Sequence, residues 1–137
     1  MLVVLDSNIL LSALISPHGA PRRIYEAWRK GRFELVTCKE QIEELRRASR
    51  YPRLRSILQP HLVGLMLNNL QRAVIVELVP AKHHAKDPND SCLLDLADCA
   101  EADYLVTGDK RAGLLELESV GTARIETATI FCKTLSI

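Results

Sequence analysis

The chain has 137 residues, 47% apolar and 26% charged, with a formal net charge of +1. That length suits a single domain, here residues 1–137, which buries a core of its own and needs no staples. No apolar run approaches a membrane span, and the opening MLVVLDSN lacks a basic segment and reaches Asp6 at once. A signal peptide and a membrane anchor are therefore not expected, and a cytosolic protein is.

Leu2 to Leu5 is a continuous apolar run bounded by Asp-Ser-Asn, the pattern of a strand buried on both faces. Ile9 to Ile15 reads as helix up to the Ser-Pro-His-Gly turn at 16–19. Pro21 fits the first turn of a helix that runs to about Lys30 and stops at Gly31. Phe33 to Val36 is a second strand. Lys39 to Arg50 is an amphipathic helix closed by Tyr51-Pro52, and residues 54–72 are mostly helical with a break near Gln59-Pro60.

Val74 to Val79 reads as a third strand, followed by the polar loop AKHHAKDPND. Ser91 to Ala100 is helix, Tyr104 to Val106 strand, and Thr107-Gly108-Asp109 the turn beyond it. A strand near Ala123 to Ile125 and a terminal helix complete the chain. Strands that alternate with helices predict an α/β fold with a parallel sheet covered on both faces.

Cys38, Cys92, Cys99 and Cys132 contain no C-x-x-C pair. Cys92 and Cys99 lie seven residues apart in one helix, roughly 10 Å along its axis, too far for a disulfide. All four are expected to be reduced packing residues, without a zinc site. Charge is unevenly spread: residues 1–72 hold twelve basic against six acidic residues, residues 73–137 six against eleven. A basic half beside an acidic half suits a metal-dependent enzyme acting on a polyanion.

In open α/β sheets the site lies beyond the carboxyl ends of the strands. Asp6 directly follows the first strand, Asp109 follows the YLV strand after a short turn, and Asp87 and Asp90 open the helix at 91–100. Each acid has a plain structural alternative as a helix cap: Asp87 as N-cap before Pro88 would put Asp90 at N3. Several acids at one edge need more than capping, because like charges about 4 Å apart repel by roughly 4 kcal/mol at an effective dielectric near 20.

A fourth acid comes from the helix at 39–50. Ile42, Leu45, Ala48 and Ser49 make its buried stripe, and Glu43 faces away toward Arg46 and Arg47. Glu44 flanks the stripe, with Glu40 the second choice one turn earlier. An all-oxygen donor set suits Mg²⁺ or Mn²⁺. Ser7, Asn8 and Thr107 stand where they can orient these acids, although ordinary cap and turn roles would also explain them.

LDSNILLSAL, EELRRASRYPRL and KDPNDSCLLDLADCAEADYLVTGDK together resemble the PIN-domain family. More narrowly, they resemble its VapC-like branch, the toxins of bacterial toxin–antitoxin pairs. The resemblance runs over nearly the whole chain, including the helix start from Gly19 to Arg23. It implies a Rossmann-like α/β/α sandwich with a central parallel sheet, metal-dependent hydrolysis of single-stranded RNA, a homodimer and an antitoxin partner. Position by position, the family's acids fall on Asp6, Glu44, Asp90 and Asp109, with Asp87 accessory. Ser7 stands where threonine is commoner, Asp95, Asp98 and Cys99 where small apolar residues are usual, and Lys110 to Gly113 replaces the usual continuation.

Arg46, Arg47, Arg50, Arg53 and Arg55 form a basic run that can guide RNA phosphates, or equally a solvated helix face. His83 and His84 precede Asp87, and Trp28 reads as packing rather than base stacking. Two other readings compete. A phosphatase with Asp6 as nucleophile would want a second aspartate where Asn8 stands. A non-catalytic α/β interaction module would use its acids only as caps.

Overall fold

In the computed structural model, residues 1–78, 88–108 and 112–137 are described. The elements in order are β1 (Leu2–Leu5), α1 (Ser7–Ile15), α2 (Ala20–Arg29), β2 (Glu34–Thr37), α3 (Lys39–Ala48), α4 (Pro52–Arg55) and α5 (Pro60–Leu70). There follow β3 (Val74–Ile75), α6 (Pro88–Cys99), β4 (Tyr104–Thr107), α7 (Ala112–Leu115), β5 (Ser119–Val120), β6 (Ala123–Thr127) and α8 (Ala128–Leu135). The strands form one sheet in the order β3-β2-β1-β4-β6-β5. Every pairing is parallel except β5 with β6. This is the α/β architecture expected from the alternation of strands and helices, in the Rossmann-like form that the family resemblance implied.

The period-2 alternation of strand side chains divides the core into two layers. Val3 and Leu5 of β1, Leu35 of β2 and Val106 of β4 face α1, α2, α3, α5 and α8. Val4, Val36 and Leu105 face the opposite side, where α6 contributes Leu93, Leu94, Leu96 and Ala97. Burial on both faces is why the central strands read as unbroken apolar runs. Phe131 of α8 is fully buried, edge-to-face with Phe33 and tilted against Tyr104 at centroid distances of 5.6 and 5.4 Å.

Local signals set most boundaries. Pro21 sits in the first turn of α2, and beyond its last turn Gly31 takes φ 78°, the left-handed conformation that ends a helix. The helical stretch at 52–70 breaks before Pro60 as expected, and α6 starts at Pro88.

One expectation needs correction. The third strand spans only Val74–Ile75, an edge position with both residues exposed, and Val79 falls outside the described residues. Val76 adds one further bond to β2, its N–H to Thr37 O at 2.9 Å, and together with Leu78 packs on the α6 side. The parallel sheet is as expected, with one antiparallel addition at its border: β5 returns into β6 through Gly121-Thr122, a two-residue turn. Gly121 has φ 56°, and a Cβ there would lie 2.5 Å from Asp98 Oδ1.

Phe131→Ala is expected to cost about 3–5 kcal/mol, since the cavity adds to the lost burial. Urea denaturation measures this, and a loss below about 1 kcal/mol would contradict the placement of this ring at the core's centre.

Candidate active site at the carboxyl edge of the sheet

The strand order changes direction between β1 and β4, the crevice where α/β sheets bind ligands. Asp6 stands at the end of β1 and is 3% exposed. Its backbone N–H bonds to Val106 O at 2.9 Å, which locks it against β4. Its carboxylate serves two neighbours: Oδ1 accepts from the Asn8 N–H at 3.1 Å and Oδ2 from the Thr107 hydroxyl at 3.0 Å. Asp6 is thus the N-cap of α1, as the capping alternative held, and the same side chain bridges to β4.

Glu44 is half-buried and accepts from the Ser7 hydroxyl at 3.2 Å. This bond ends a directional chain. Thr37 donates to Gln41 Oε1 at 2.6 Å, and Gln41 Nε2 donates to Leu5 O at 2.6 Å and to Ser7 Oγ at 3.4 Å. Ser7 then donates onward to the carboxylate. Thr37, Gln41 and Ser7 are all buried, so the relay holds α3 against the ends of β1 and β2 in a low-dielectric setting.

Glu40 is exposed in the first turn of α3. Glu43 pairs with Lys39 at 3.9 Å, where Arg46 or Arg47 was the expected partner. Gln41 is the residue that sequence reasoning missed. The signal was a polar side chain beside Ile42 on the buried stripe, which a binary reading of the helix passes over.

Asp90 lies in the first turn of α6, half-buried with its Oδ1 shielded from solvent. Asp87, Asp109, His83, His84 and Lys110 fall outside the described residues. The structure therefore joins Asp6 to Thr107 and Glu44 to Ser7 by hydrogen bonds and puts Asp90 at the start of α6. The donors offered are carboxylate oxygens, the chemistry that Mg²⁺ and Mn²⁺ take. Among the described residues no three acidic, histidine or cysteine side chains gather round one point. Mg²⁺ fits such an edge nonetheless, because it is held by one or two carboxylates and keeps several waters.

The arginine run divides. Arg47 and Arg53 line a cavity of about 310 Å³ together with Asn8 and Glu44. Arg46 and Arg50 line a separate one of about 620 Å³ with Arg55.

The cysteines also depart from expectation, since Cys99 is exposed rather than packed. Cys38, fully buried at the start of α3, meets Cys92 of α6 across the second core layer. A hydrogen bond with Cys92, reinforced by burial, pushes the Cys38 thiol well above its ordinary range. The same bond lowers Cys92, against the opposing effects of burial and of Glu40, Glu44 and Asp95 nearby.

A PIN-domain family model matches residues 2–111. The chain belongs to the PIN-domain family. A search of curated proteins finds no match. PIN domains are typically metal-dependent nucleases. Among the described residues no helix is long and apolar enough to cross a membrane.

Gln41→Leu strands the Thr37 hydroxyl and the Leu5 carbonyl in a buried setting, and about 1–3 kcal/mol of stability should be lost. Urea denaturation reads this, and a loss under about 0.5 kcal/mol would mean the relay is not structural. In thiol titration with a disulfide reagent, Cys99 should react at once and Cys38 only on unfolding. Equal rates would contradict the burial of Cys38.

Proposed function

We propose that this PIN domain is a divalent-metal-dependent endoribonuclease that hydrolyses phosphodiester bonds in single-stranded RNA. The observation that carries the reading is the pair of acids on separate elements, Asp6 and Glu44, each fixed by a hydroxyl from Thr107 or Ser7. Asp6, Glu44, Asp90 and Asp109 are the proposed catalytic acids and metal holders, with Asp87 accessory. Ser7, Thr107 and the backbone of Asn8 act through them as positioning groups.

When bound, Mg²⁺ or Mn²⁺ supplies positive charge against the scissile phosphate and lowers the pKa of water. The chain's own work is to hold the carboxylates still. Asp6 has both oxygens committed to fixed donors, so it keeps one orientation without reorganising during reaction. Hydrolysis consumes one water and breaks one P–O bond, the departing oxygen leaving with a proton.

The finer assignments, a toxin held by an antitoxin, a homodimer, a cytosolic location and one domain over 1–137, rest on the resemblance to the VapC-like branch and on composition. The interaction-module reading has the Asp6 cap on α1 in its favour. Specific divalent binding separates the two.

Purified protein should cut a labelled single-stranded RNA pool with Mn²⁺ or Mg²⁺ and not with EDTA, and the Asp6→Asn, Asp90→Asn double variant should fall to background. Cleavage by the variant equal to wild type would overturn the proposal, as would absence of both cleavage and metal binding. Thr107→Val removes only the support of Asp6 and should lower activity or metal affinity about 10- to 100-fold. An unchanged titration would show that the hydroxyl does not position the site.

A further inference from the structure

The chain has six aromatic residues, all among those described, and five are committed to packing. Tyr25 tilts against Trp28, and Phe131 lies edge-to-face with Phe33 and tilted against Tyr104. Tyr51 is the exception, 55% exposed between α3 and α4. Leaving one large ring in water in so aromatic-poor a chain gains nothing for the core.

The surroundings of Tyr51 are specific. It lines the cavity of about 310 Å³ that also has Glu44, Arg47 and Arg53 in its wall, over apolar ground from Leu11 and Leu54. Its backbone is held. The N–H bonds to Ala48 O at 3.1 Å, and its carbonyl accepts from Leu54 and Arg55 at 2.8 and 2.9 Å. Pro52 follows it and further restricts its conformation to the extended one observed, φ −62° and ψ 137°. The backbone that carries the ring is already ordered, so seating a flat partner on it costs no ordering of the loop.

A cavity of this volume is at the lower end of small-molecule sites, suited to one nucleotide rather than to a helix or duplex. Unpaired bases bind proteins by stacking on aromatic rings and guanidinium planes, while arginines take the phosphates. Glu44, a wall of this cavity, is one of the acids proposed to hold metal. A nucleotide seated on Tyr51 would therefore adjoin the reacting phosphate.

We propose that Tyr51, flanked by Arg47 and Arg53, is a base-stacking subsite that seats one unpaired nucleotide beside the scissile phosphate. This rests on the ribonuclease reading and adds to it where the strand is gripped and why a single strand is required. Every base offers a π-face, so the subsite separates unpaired from paired RNA more sharply than one base from another.

The test uses the Asp6→Asn, Asp90→Asn chain, which does not cut under the ribonuclease reading and carries two fewer charges to repel phosphate. A short fluorescein-labelled single-stranded RNA is titrated by anisotropy at low salt. Adding Tyr51→Ala should weaken binding about 5- to 100-fold, and adding Tyr51→Phe should keep it within about twofold. An RNA carrying 5-iodouridine should photocrosslink to Tyr51. The exposed ring leaves the core untouched, so thermal midpoints of the variants should coincide.

RNA bound equally well by the Tyr51→Ala chain, without crosslinking to Tyr51, would overturn the subsite and leave the nuclease reading intact. Failure of the wild-type chain to bind or cut any RNA would overturn both.

Discussion

The buried relay from Thr37 through Gln41 and Ser7 to Glu44 is the interaction on which the arrangement of this edge depends. Gln41 also donates to the carbonyl of Leu5, so one amide joins the ends of two strands to the helix that carries Glu44. Apolar packing positions a helix over a sheet only loosely in rotation. A directional chain of donors fixes which face of α3 turns toward β1. On the other side of β1, Thr107 performs the same service for Asp6 from β4. Asp6 and Glu44 are thus each held by a hydroxyl, one from a strand end and one from α1.

Much of this was legible in the amino-acid sequence. The apolar runs of β1 and β4 are buried on both faces, so period and composition point to the same answer there. Pro21, Pro60 and Pro88 mark helix starts because a ring nitrogen without a proton costs nothing in a first turn. Asp6, Ser7 and Thr107 follow from the rule that parallel sheets work at their carboxyl edge. Glu44 followed from helical periodicity, since flanking the buried stripe is what brings it within reach of Ser7.

What escaped had physical reasons as well. β5 spans two residues, too short for any period to register, and its turn depends on the left-handed backbone of Gly121. The largely apolar stretch from Val74 suggested a longer strand, yet β3 spans two residues, because side-chain burial and backbone pairing are separate requirements at a sheet edge. Gln41 broke the apolar stripe of α3 and was invisible to an apolar/polar alphabet. The arginine run looked continuous in one dimension, but α3 and α4 turn its members toward two different cavities.

The two short outer strands carry a consequence for association. An open sheet ends in unsatisfied backbone donors and acceptors that invite another chain to add a strand. Here β3 offers two residues and β5, folded back antiparallel, offers two more, so neither border gives a neighbour a ladder long enough to grow on. Propagation into a continuous intermolecular sheet is discouraged at both margins. Among the described residues, what a neighbour would otherwise meet is helical surface, where side chains rather than backbone set the terms of contact.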